Sequence, residues 1–282
     1  MPSKPTFLFI PGSWHTPAYF DSLIAKLASE DFKSQTVFLP SAGIEPAIES
    51  MEPDIQAIMS KLSSLLDGGT DVIVVAHSYG GECGSAAVGR MFNQHSGSNG
   101  KIGKIQRMIF VCAFVPTEGE SHMTMMSAIP NPVGSAIYRV LEVSSWICMK
   151  FYLYEFSHLV QPPWVSMNEH ALEVMCHDVS EPMRIQWGNT IRKHAAATLL
   201  TPIMDPGWRY VPTTYVYTSL DRAIYLKTQQ WLVQRIRETG LQQFGSKAFD
   251  GEAGEFMIES GHMPFLSRVD ELAYVLTTVA RM

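Results

Sequence analysis

Paired cysteines are missing from this 282-residue chain. Cys83, Cys112, Cys148 and Cys176 stand far apart, without a C-x-x-C pair or a repeated spacing to histidine. That excludes a disulfide framework and a zinc-finger type of site, and it fits a reducing, cytoplasmic location. Charge is scarce: only 17% of residues are charged, and 21 Lys and Arg set against 27 Asp and Glu leave a net charge of −6. The basic residues are scattered singly, so the electrostatic stripe of a nucleic-acid binder is absent. Long apolar runs are lacking as well. The opening "MPSKPTFLFIPG" is too short for the hydrophobic stretch of a signal peptide. The most apolar later segment, residues 140–156, carries Glu142, Lys150 and Glu155. It falls short of the roughly 20 apolar residues that cross a bilayer. A lid helix is expected there, with surface contact left open and no stable membrane insertion.

What the chain does have is core-forming material, 46% hydrophobic residues, which argues for a packed domain and against disorder. Six short apolar runs bounded by turn formers read as buried parallel strands: 6–10, 36–39, 71–76, 108–114, 213–218 and 255–260. Stretches with helical spacing of apolar residues lie between most of them, at 18–30, 48–66, 227–238 and 269–281. The alternation predicts an α/β fold, a doubly wound, mostly parallel six-stranded sheet flanked by helices. One long gap interrupts it. A structureless loop of that length is implausible, so residues 116–212, with Trp146, Trp164, Trp187 and many methionines, are expected to form a mostly helical cap. Residues 1–115 and 213–282 then form the core.

Ligands in such sheets bind beyond the carboxyl ends of the strands. After the third strand comes "AHSYGGE", in which Ser78 lies between the small residues Ala76 and Gly80. A sharp strand-to-helix turn that exposes a nucleophilic serine needs small residues at those two positions. A serine that merely caps the next helix is the plainer reading, and the partners decide between them. "SGHMPF" places His262 just past the last strand, where an imidazole serves as general base. "TSLDRA" places Asp221 just past the fifth, to orient that imidazole, with Glu118 as a lesser alternative. Ser, Asp, His in this order, each at a strand end, is the arrangement of a nucleophile, its acid and its base. The oxyanion site is expected from the first strand's loop, "PGSWH", where Gly12 lets the backbone turn in. The Ser13 N–H then joins that of Tyr79. Gly12, Trp14, His15, His77 and Met263 are candidates to touch substrate.

His122, His158, His170, His177 and His194 read as surface residues or as locally hydrogen-bonded ones. His170 and His177 lack further ligands for a metal, and "GGECG" lacks the lysine of a phosphate-binding loop. Neither a metal nor an organic cofactor is expected.

These residues resemble the α/β-hydrolase fold, and within it the compact branch of plant methylesterases and hydroxynitrile lyases. "FIPGSWH" and "VFLPSAG" are similar to the stretches that follow that branch's first two strands, with Pro11 where the branch has histidine. The resemblance covers both ends of the chain and fades in the cap. It implies esterase rather than lyase chemistry, because lyases of the branch carry a threonine in the oxyanion loop and a lysine after the catalytic histidine. Here Gly12 and Met263 occupy those places.

The expected activity is hydrolysis of a carboxylic ester or lactone of a hydrophobic or aromatic small molecule, such as a secondary metabolite. The same scaffold also hosts cofactor-free lyases and cyclases and ligand-binding receptors, and these stay open. A homodimer stays open too.

Overall fold

A computed structural model describes residues 4–95, 103–130, 141–142, 163–167, 170–244 and 248–282. Its centre is a six-stranded, all-parallel sheet. The strands are β1 (Thr6–Ile10), β2 (Ser34–Thr36), β3 (Val72–His77), β4 (Ile105–Val111), β8 (Thr213–Thr218) and β9 (Glu255–Ile258). They lie in the order β2-β1-β3-β4-β8-β9. β1, β3 and β8 are buried at every position, which is why they read as unbroken apolar runs.

Successive side chains of a strand leave opposite faces, and the two halves of the core follow from this. Leu8, Ile10, Val74, Ala76, Met108 and Phe110 face one layer, packed on α2 (Glu52–Asp67) and α3 (Gly80–His95). Phe7, Phe9, Ile73, Val75, Ile109 and Val111 face the other, under α1 (Asp21–Ala28) and α9 (Val269–Arg281). α2 buries Ile55, Ile58, Met59, Leu62, Leu65 and Leu66, a stripe at helical spacing. α7 (Leu226–Phe244) follows β8, and the short α8 (Pro264–Ser267) follows the loop after β9.

Two expected strands are displaced. The second pairs with β1 from Ser34, opposite Phe7, instead of beginning at Thr36. Val37 and Leu39 are buried, but after Val37 bonds to Phe9 the chain runs beyond the end of β1 towards Pro40. The fourth starts at Ile105 and ends at Val111. Cys112, at φ 36°, turns the chain out of the sheet, and Phe114 then passes beneath Ser78, donating to its carbonyl at 3.2 Å.

Between β4 and β8 lies the insert. Its described part contains α4 (His122–Ala128), α5 (Ala171–Met175) and α6 (Glu181–Gly188). It also contains an antiparallel sheet of β5 (Leu141–Glu142), β6 (Trp164–Met167) and β7 (His194–Ala195). Strands this short carry no period in sequence, so the small sheet was not foreseen. A Ser121/Thr124 capping box starts α4. Residues leading back to β8 rest on the core: the Trp208 indole donates to the Pro116 carbonyl at 2.8 Å, and Gly207 N–H to Ser85 Oγ at 2.9 Å. The lid helix expected over 140–156 lies outside the described residues apart from Leu141–Glu142, as do Trp146 and His158. No helix of the described residues is long and apolar enough to cross a membrane.

Candidate active site

The strand order reverses between β1 and β3, and this switch point is where open α/β sheets hold ligands. Ile10 is paired with Ala76, so the loop after β1 and the turn after β3 start side by side. Ser78 occupies that turn at φ 52°, a left-handed conformation that a non-glycine residue adopts only under constraint. The constraint is visible on every side. Ser78 N–H reaches the Val111 carbonyl at 3.4 Å, and its own carbonyl accepts from Gly81 and Phe114. A Cβ on Gly80 would stand 2.6 Å from the Pro11 carbonyl oxygen, and one on Gly12 2.9 Å from Ser78 Cβ. The glycines are there because the loop and the turn touch.

Thr218 pairs with Ile258, so Asp221 and His262, just beyond those strand ends, also converge. His262 Nδ1 lies 2.8 Å from Asp221 Oδ2, and both side chains are fully buried. Asp221 Oδ1 accepts from the Ala223 and Ile224 amides at 2.7 and 2.9 Å. Glu118, the lesser alternative, instead pairs with Arg209. His262 Nε2 is buried without a hydrogen-bond partner, and the Ser78 hydroxyl bonds to nothing among the described residues. Contacts between nucleophile and base often close only around a substrate.

The backbone amides of Ser13 and Tyr79 likewise donate to no group among the described residues. Two unpaired N–H groups flanking a strained serine suit a developing oxyanion. The loop bearing Ser13 is held by Trp14, itself at φ 66°, whose indole donates to the Val165 carbonyl of the insert at 2.9 Å. Tyr79 is held by its hydroxyl, which donates to buried Asp54 at 2.7 Å, while Asp54 also accepts from the Ser41 amide at 2.8 Å. Burial raises the Asp54 pKa.

The His77 ring lies beside Gly12, its Nε2 2.9 Å from the His262 carbonyl and its ring against the His262 ring. His15 bonds to the Ser13 carbonyl through Nδ1 and packs edge-on to Tyr19. Met263 is buried and caps α8. The ligand atoms of His77, Cys112 and His262 lie within 4.8 Å of one another. They do not suit a metal, because burial pushes the Cys112 thiol well up and it donates to the His262 carbonyl.

Three groups escaped the sequence reading. Glu82, in the first turn of α3, is fully buried and holds His122 Nδ1 at 2.7 Å. His194 makes the local bond expected of it, Nε2 lying 2.8 Å from Thr198 Oγ1, but it is also fully buried, with its ring against Tyr79 at 4.6 Å, a contact the sequence does not signal. Asp178 of the insert accepts from the Gly261 amide at 2.7 Å, beside His262. Only the glutamate one turn after Ser78 offers a signal, a charged residue in an otherwise small and apolar helix start.

Burial lowers the pKa of His15 and of His194 from 6.5 to about 3, and it holds His77 well below its usual value. The unfolded chain takes up these protons near pH 6.5 and the folded chain only near pH 3. Their contribution is therefore complete above 6.5 and is lost as pH falls towards 3. By pH 5 the loss is roughly 2 kcal/mol for each of His15 and His194. The urea midpoint is expected to drop between pH 7 and pH 5; a flat or rising midpoint would contradict neutral burial.

A family model described as the alpha/beta hydrolase family matches residues 7–273. The chain belongs to the alpha/beta hydrolase family. This hydrolase is 22% identical over 282 residues to the probable hydrolase R7 of Phoma sp., covering 99% of this chain and 100% of the relative. It is 23% identical over 278 residues to the alpha/beta hydrolase nvfD of Aspergillus novofumigatus, covering 98% and 97%. Among solved structures, the methylesterase MES16 from Arabidopsis superposes with a TM-score of 0.69 at 19% identity, covering 99% of this chain and 100% of that one. At that identity the likeness speaks for the fold.

Proposed function

We propose that this alpha/beta hydrolase cleaves a carboxylic ester or lactone of a hydrophobic or aromatic small molecule, using Ser78, His262 and Asp221. The observation that carries the reading is His262 itself: its Nδ1 is bonded to Asp221, and its Nε2 is buried and bare. A carboxylate-backed imidazole with a free Nε2 is a proton acceptor in the tautomer the chemistry needs.

Ser78 Oγ attacks the ester carbonyl carbon while its proton passes to His262 Nε2. The carbonyl oxygen becomes an oxyanion held by the Ser13 and Tyr79 amides. Collapse expels the alcohol, which takes the proton from His262 and leaves an acyl-serine. Water, deprotonated by His262, attacks the acyl carbon, and the acid departs with Ser78 restored. The fixed backbone of the elbow serves this route, since the oxyanion donors need no rearrangement as charge develops.

A fluorophosphonate probe tests the reading. The native protein is expected to be labelled and Ser78→Ala is not, with aryl-ester turnover lost in parallel; a native protein that resists the label rejects the simple hydrolase. One observation favours a second reading, a cofactor-free lyase or cyclase: Glu82 and His122 form another carboxylate–imidazole pair close to the nucleophile's helix. Product formed in isotopically labelled water without uptake of the label would select it.

A further inference from the structure

We infer that His194 accepts a hydrogen bond from a hydroxyl group of the substrate, so that the pocket selects esters bearing a phenolic or enolic hydroxyl over their ethers. The inference rests on the hydrolase reading for the place where substrate lies, beside Ser78.

The tautomer of His194 is settled by its neighbours. Thr198 Oγ1 donates its only hydrogen to the Ala195 carbonyl at 2.8 Å. The same oxygen lies 2.8 Å from His194 Nε2, so it accepts there and Nε2 carries the hydrogen. Nδ1 is then a bare lone pair. It is fully buried and has no partner among the described residues. With the pKa lowered to about 3 by burial, it stays an acceptor at neutral pH.

Its position ties it to the chemistry. The ring packs edge-on against Tyr79 at 4.6 Å, the residue that follows Ser78, and it lies 5.7 Å from the Trp14 ring of the oxyanion loop. Other buried atoms without partners include acceptors as well. His15 donates through Nδ1 to a carbonyl, which leaves Nε2 bare, and Glu82 Oε2 is free. A buried acceptor without a donor is costly. A ligand that supplies O–H groups relieves that cost, whereas a ketone or an ether does not. Sites built to bond a hydroxyl reject analogues that lack it far more strongly than apolar pockets discriminate by size.

The test uses Ser78→Ala protein, which binds without turnover, and isothermal titration calorimetry. The probes are the three isomeric methyl hydroxybenzoates and the matching methyl methoxybenzoates. At least one hydroxy ester is expected to bind about tenfold or more tightly than its methoxy partner. Adding Thr198→Val, which frees the tautomer while leaving the ring in place, should cut that preference. Adding His194→Phe should abolish it in protein whose near-ultraviolet circular dichroism is native. Equal binding of the paired esters, no binding of any hydroxy ester, or a preference untouched by Thr198→Val overturns the inference. Fluorophosphonate labelling is scored separately. Labelling without a hydroxyl preference removes this inference and leaves the hydrolase; a preference without labelling does the reverse.

Discussion

Replacing His262 by alanine is expected to lower kcat/KM for a simple aryl ester by about 10⁴-fold or more. Without the imidazole, nothing at the turn takes the Ser78 proton, and only the oxyanion donors and binding remain. The main-chain contacts around residue 262 survive the change, because His77 and Cys112 both bond to its carbonyl and not to its ring. The fold is therefore expected to persist with a lowered melting temperature. The lowering reflects a cavity where a fully buried ring stood, at a cost of roughly 2–5 kcal/mol. Steady-state kinetics together with a thermal melt check both parts. A well-folded His262→Ala protein within tenfold of native activity would remove His262 as the base and direct attention to His122, a second buried carboxylate-backed imidazole.

The features legible in sequence are those fixed by the end of a strand. Ser78, Asp221 and His262 each follow an apolar run that stands in the sheet, and parallel strands bring such ends to one edge. Gly12 and Gly80 were legible for the same reason: two neighbouring strand ends leave no room for a Cβ between them. Fold class follows from alternation alone, although the apolar pattern places β2 two residues late because Val37 and Leu39 stay buried beyond the paired residues Ser34–Thr36.

What was hidden depends on contacts between distant segments. Asp178 meets Gly261 across 83 residues and Trp14 meets Val165 across 151. Neither local pattern nor composition records such meetings. His194 illustrates the point most sharply. A histidine in such a stretch reads as a surface or locally bonded residue; the local bond to Thr198 is present, and the insert's return past Tyr79 and Trp14 buries the ring. The insert thus holds the loop after β1 through Trp14 and the loop after β9 through Asp178. The core supplies the four loops that carry the proposed site, and the insert fixes two of them.

Asp221→Asn is expected to be as damaging as loss of the base, about 10⁴-fold in turnover, and to cost stability as well. The reason lies in what surrounds the carboxylate. Oδ1 accepts from two backbone amides, and Oδ2 accepts from His262 Nδ1, from Thr218 Oγ1 at 3.0 Å and from Gln229 Nε2 at 3.3 Å. An asparagine must turn its NH₂ group towards one of these two sets. Turned towards Oδ1, it meets two amide N–H groups that have no lone pair to offer. Turned towards Oδ2, it faces the Gln229 amide and forces His262 to accept at Nδ1, which places the hydrogen on Nε2 and abolishes proton acceptance from Ser78. Either orientation leaves a buried donor unsatisfied, at roughly 1–3 kcal/mol. The variant should therefore show a lower urea midpoint together with the kinetic loss. An Asp221→Asn protein with native midpoint and near-native turnover would show that the carboxylate neither orients His262 nor needs its five donors.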